Sequence, residues 1–137
     1  MKNPVKYALV TSALAGMFGL AALHAQVTKS AYADIPFAFT ANGVQLPPGK
    51  YHVRETSTDK IWQLYRDANR HSIFLQQVQP IGGAAKSSKL VFRCHEGNCF
   101  LSELWYQGMP SGLALPQSRS EKELARSDHK SVIIAMR

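Results

Sequence analysis

Residues 89–106 read KLVFRCHEGNCFLSELWY. Apolar and polar side chains alternate on both sides of a short polar segment, and a period of two is the mark of half-buried strands. The pattern predicts an antiparallel hairpin, with strands from Lys89 to Arg93 and Phe100 to Tyr106 and a loop at His95-Glu96-Gly97-Asn98. This register sets Cys94 opposite Cys99, Phe92 opposite Leu101 and Leu90 opposite Glu103, with Trp105 following on that side. On the other side Val91 meets Ser102 and Arg93 meets Phe100. Glu103 therefore falls on a face otherwise made of Leu, Phe and Trp.

Cys94 and Cys99 are the only cysteines in the chain. Directly opposed strand residues stand close enough for a disulfide, which is the reading the spacing favours; free thiols and a metal site are its rivals. A redox centre normally uses Cys-x-x-Cys at a helix start, and four residues separate this pair. A structural zinc site needs four ligands. His95 adjoins Cys94, but neighbouring strand side chains point to opposite faces, and His52, His71 and His129 form no local cluster with it. No metal is expected, and the segment from Arg93 to Phe100 reads as a staple across a turn.

Outward from the hairpin, short alternating runs are separated by turn residues about a dozen positions apart, the spacing of an antiparallel all-β domain. Upstream, Ile35, Phe37 and Phe39 share a face, Asn42-Gly43 turns the chain, and Pro48-Gly49 presets a second turn. Lys50 to Arg54 continues as a strand with Tyr51 and Val53 inward. Ser57–Lys60 and Asp67–Arg70 are reversals around Ile61–Tyr65, Ser72–Val78 is a further strand, and Pro80 with Gly82–Ala85 reads as a flexible connection. Downstream, Ser118 and Glu121 fit a capping box for a helix from Arg119 to Arg126 whose apolar stripe is only Leu124 and Ala125. Ser131 to Met136 is a β-branched closing strand. The fold expected is a single antiparallel β-sandwich or small barrel, with one short C-terminal helix over an edge or open end.

The N-terminus places Lys2 and Lys6 before an uncharged apolar stretch, Tyr7 to Leu23, followed by small residues. This reads as a secretory signal peptide over residues 1–25, cut after Ala25, with Ala33 as the second candidate. A membrane anchor is the rival, but the run is at the short end for a span and is diluted by Gly, Ser and Thr. Residues 26–137 then form one β-rich domain, with its core from about 34 to 137. Of the charged residues only Lys2 and Lys6 lie in 1–25, so the formal net charge of +7 becomes +5. The remaining basic residues are scattered rather than clustered, which excludes a nucleic-acid footprint.

Several motifs run in a fixed order: Ile-Pro-Phe-x-Phe at 35–39, Leu-Pro-x-Gly-x-Tyr-x-Val at 46–53, Lys-Leu-Val-Phe at 89–92, Phe-Leu-Ser-Glu-Leu-Trp at 100–105 and Leu-Pro-x-Ser-x-x-Glu-Lys at 115–122. Together they resemble a group of small exported proteins common in acidobacterial genomes. The similarity covers most of residues 34–126. It implies an exported all-β domain and brings no catalytic residue; the cysteines and His95 are outside the shared pattern.

Chemistry-bearing candidates are few. Glu103 beside Trp105 is a ligand-binding or general-acid group, or else an ion pair or an exposed strand end. Trp62, Tyr65, Trp105 and Tyr106 are a sugar platform or apolar lining, or else core. The Ser-x-x-Lys matches at Ser57 and Ser127 lack the partner motifs of serine acyl-enzymes, and Ser111 is not in a nucleophile elbow. The expected function is a non-catalytic envelope or extracellular interaction module in the periplasm or outside the cell, with an unknown protein or envelope component as partner. The alternative is a small-molecule binder, holding an apolar ligand or sugar in a barrel mouth near Glu103, Trp105 and Trp62. No enzyme, no cofactor and, after cleavage, no membrane span are expected.

Overall fold

The computed structural model describes residues 28–56, 61–68, 72–76, 78–125 and 128–137. The leader therefore lies outside the described residues, as do the expected turn at Ser57–Lys60, Arg126, Ser127 and His71.

Two sheets face each other. The smaller has four antiparallel strands in the order β1 (Ser30–Ile35), β4 (Gly49–Glu55), β5 (Trp62–Tyr65), β6 (Ser72–Leu75). The larger runs β11 (Lys130–Ala135), β8 (Lys89–His95), β9 (Asn98–Trp105), β10 (Gly112–Ala114), β7 (Gln79–Ile81). A hairpin of β2 (Phe39–Ala41) and β3 (Val44–Leu46) joins it through a parallel pair of β2 with β9, a departure from the antiparallel expectation. Tyr32 and Arg137 exchange backbone hydrogen bonds of 3.0 Å, which ties the two sheets at one corner. The result is a sandwich, not a closed barrel.

The run read as one strand at Ile35–Phe39 is split between the sheets. Pro36 has no N–H to continue the ladder, so Ile35 ends β1 and Phe39 begins β2 across the gap. Ile35 and Phe39 still both reach the core, as the alternation required. The β2–β3 turn uses Asn42 (φ 50°) and Gly43 (φ 78°), the paired positive dihedrals that Asn-Gly supplies. Ala31-Tyr32-Ala33, read as a possible cleavage site, belongs to β1: Ala31 and Ala33 are buried and Tyr32 faces outward. Pro80 and its neighbours are likewise not a loose connection. Gln79–Ile81 pairs with β10, and proline is tolerated because β7 is the outermost strand.

The interior is filled. Phe39 stands edge-on to Tyr51 and Phe92, each with ring centroids 5.2 Å apart, and Phe37 caps Phe92 in the same geometry. Trp62, Leu64, Leu90 and Leu104 complete the packing. Tyr51 donates its hydroxyl to the Pro47 carbonyl; burial pushes its phenol above the usual range, partly offset by the Arg66 charge.

Candidate functional site

The hairpin from which the fold was read turns more tightly than expected. His95 pairs with Asn98, leaving Glu96 (φ 48°) and Gly97 (φ 86°) as a two-residue type I′ turn. Cys94 lies opposite Cys99 and the two form a disulfide with Cα atoms 4.0 Å apart. Phe92–Leu101 and Arg93–Phe100 are also paired as read.

Beyond that point the register slips. Val91 faces Glu103 and Leu90 faces Leu104, so Ser102 is an extra residue in β9. The bulge is held on both sides: Ser102 Oγ donates to the Val91 carbonyl at 3.0 Å, and Leu115 N–H donates to the Ser102 carbonyl at 2.8 Å. Its effect is to exchange faces. Leu104 enters the core with no exposed surface, while Glu103 and Trp105 turn to the outer face of the larger sheet. The expected Leu90–Glu103 and Val91–Ser102 pairs are thus corrected, and Glu103 is not on the apolar inner face.

On that outer face Trp105 Nε1 donates to Glu103 Oε2 at 2.7 Å, and Lys89 Nζ lies 5.4 Å from the ring centre. The indole spreads over two glycines of β10 and the β7 end. A Cβ built on Gly112 would come within 2.5 Å of it, and one on Gly82 within 2.7 Å. Glu103 therefore has a structural task, satisfying the indole of a ring that covers bare backbone. Trp62 is elsewhere, in β5 of the other sheet, buried in the core and tilted against Tyr106 at 5.7 Å. The three candidate ligand-binding residues are split: Glu103 with Trp105 on a surface, Trp62 inside.

A polar cluster that sequence reasoning missed sits at the opposite end of the same face. The helix α1 (Arg119–Leu124) is capped as predicted, Ser118 Oγ accepting from Glu121 N at 3.2 Å. The side chain of Glu121 does not return to the cap. It is 2% exposed and accepts from Arg93 Nε at 2.7 Å. His95 lies beside it, also 2% exposed, with Nε2 4.0 Å from the same carboxylate oxygen. Neither ring nitrogen of His95 has a hydrogen-bond partner among the described residues. An unmet buried polar group costs about 1–3 kcal/mol, so this arrangement calls for an explanation. Phe100 and His129 flank the imidazole, with ring centroids at 6.3 and 5.6 Å. Among the described residues no group of three or more His, Cys, Asp or Glu is arranged to hold a metal.

The outer face of the smaller sheet carries a third grouping. Tyr32, His52 and Tyr65 occupy one cross-strand row, His52 stacks on Tyr65 at 4.9 Å and pairs with Asp67 at 2.8 Å. Lys50 and Arg54 lie over Tyr32 and Tyr65 at 4.1 and 5.0 Å, so these rings are already covered by their own neighbours. Finally, an open groove of about 590 Å³ lies where β1 and β11 meet, lined by Ser30, Ser88, Lys89, Tyr106, Ile133 and Arg137 among others. Neither Glu103 nor Trp105 lines it. Comparison with protein-family models, curated proteins and solved structures finds no match.

Proposed function

We propose that this chain is an exported, non-catalytic β-sandwich that binds a protein or envelope partner through the outer face and free edge of its larger sheet. The observation that carries this reading is the contrast between interior and edge. The space between the sheets is filled with aromatic and aliphatic side chains, whereas β11, an outermost strand, presents Ile133 at 60% exposure. Met136 N–H bonds toward Ser88 beside β8, and Arg137 N–H toward Tyr32 on the other side. By the same alternation, the backbone groups of Ser131 and Ile133 face away from β8, in position for an added strand. Lys130 and the Tyr32–Arg137 bridge limit that edge at its two ends.

The disulfide is compatible with an oxidising compartment, and no described helix is long and apolar enough to cross a membrane. Cleavage after Ala25 fits the domain better than cleavage after Ala33, which would remove Ser30–Ala33 from β1.

The groove favours a second reading, a small-molecule binder. Among the described residues its lining includes Lys89 and Arg137 with serine hydroxyls and no carboxylate side chain, which suits an anionic ligand better than an apolar one. Native mass spectrometry of protein purified from the exported fraction separates the readings. A bare mass supports the interaction module; a retained small molecule lost in Lys89→Ala supports the binder and contradicts the leading proposal.

A further inference from the structure

The cluster under α1 has the composition of a carboxylate receptor. Arg93 and His95 project from alternate positions of β8 onto the outer face, and both converge on a single carboxylate oxygen. Arg93 makes a charge-assisted hydrogen bond to it at 2.7 Å, but His95 Nε2 stays 4.0 Å away, beyond hydrogen-bond reach. A tethered glutamate on a helix fills the site incompletely. A carboxylate free to settle could accept from Arg93 Nε and His95 Nε2 together, with the imidazole proton on Nε2, and would meet the donor that Glu121 leaves unpaired.

The helix that carries Glu121 is weakly anchored. Glu121 is its only buried residue, Leu124 is half-buried, and Arg119, Ser120, Lys122 and Glu123 are exposed. Six residues do not sustain a helix without packing, and an ion pair removed from water stabilises little beyond its own desolvation cost.

We propose that Arg93 and His95 form a carboxylate-binding site which Glu121 occupies in cis, and that an acidic peptide segment of a partner displaces it as α1 lifts from the sheet. A peptide is the occupant the geometry favours, because the present occupant is itself a peptide glutamate. The proposal rests on the interaction reading for the nature of the partner, while the site is testable without one.

Two probes test it on the exported chain. In Glu121→Ala, sodium acetate should raise the melting temperature by several degrees over sodium chloride at matched ionic strength, with no such difference for the wild type. A labelled peptide of residues 117–125 should bind this variant at least tenfold more tightly than the same peptide carrying Glu121→Gln. Equal melting in the two salts, or equal binding of the two peptides, overturns the proposal. Should Glu121→Ala not fold, hydrogen exchange of the wild type decides. Excess peptide should speed exchange at the Lys122 and Ala125 amides, which bond to the Ser118 and Glu121 carbonyls, and leave Leu101 unchanged. Unchanged exchange at Lys122 and Ala125 overturns it, as does acceleration by alginate, a carboxylate polysaccharide, without acceleration by the peptide. A failed carboxylate test leaves the docking of a partner at the β11 edge untouched, and photo-crosslinking from position 133 tests that on its own, so the two readings fail separately.

Discussion

Removing one partner of the Arg93–Glu121 pair has unequal consequences, because the partners differ in burial. The Arg93 side chain is 24% exposed and can turn toward water, whereas Glu121 is 2% exposed and cannot. Arg93→Met should therefore cost about 3 kcal/mol or more, and Glu121→Gln about 1–2 kcal/mol. Urea denaturation checks the order; a greater loss from Glu121→Gln would mean that the buried carboxylate is not the sensitive partner. Glu103→Gln should change stability by less than ~0.5 kcal/mol, since a glutamine carbonyl can still accept the Trp105 indole proton. A loss of several times that size in the same assay would show that the charge itself holds the indole. The capping serine and the position of Glu121 were legible in the sequence, because a cap is local. The burial of Glu121 was not, because its partner lies 28 residues away on a strand.

At the scale of elements, the alternation of apolar side chains was enough to find β4, β5, β6, β8, β9 and β11, and Asn42-Gly43 was legible as a turn, though not the strand Val44–Leu46 that follows it. Several features were not legible, among them the pairing of β7, read as a loose connection, and the passage of Ile35–Phe39 from one sheet to the other. The Ser102 bulge adds one residue without any glycine or proline to mark it, and one residue is enough to turn Glu103 and Trp105 to the other face. β1 was missed because its inward side chains, Ala31 and Ala33, are small and so resembled a cleavage site. The exported protein should begin at Gln26, as read from its intact mass. A chain starting at Asp34 should lose its cooperative unfolding transition, since it lacks four of the six residues paired with β4. A folded product starting at Asp34 would contradict the role assigned to β1. The disulfide acts on the same scale. Thiol titration of the denatured protein should find no free cysteine before reduction and two after it. Because the cysteines are only five positions apart in sequence, closing the ring constrains little chain, and reduction should lower stability by about 1–2 kcal/mol while folding is retained. Loss of folding on reduction would show that the hairpin is not held by its backbone ladder.

The whole molecule is a sandwich whose sheets are closed against each other and whose unusual groups all lie outside. The sequence pointed to Glu103, Trp105 and Trp62 as one site, and residue type alone could not reveal that an inter-sheet position and an outer-face position separate them. The proposed interaction reading rests on surface features: an edge strand with an exposed isoleucine, an indole spread over glycines, and a short helix held by a buried carboxylate. Incorporating a photo-crosslinking side chain at position 133, in cells exporting the protein, tests most directly whether that surface is where the molecule acts. A discrete adduct at 133, absent when the same side chain is placed at the exposed Lys86, is the expected result; no adduct at 133, or equal labelling at both positions, would contradict it.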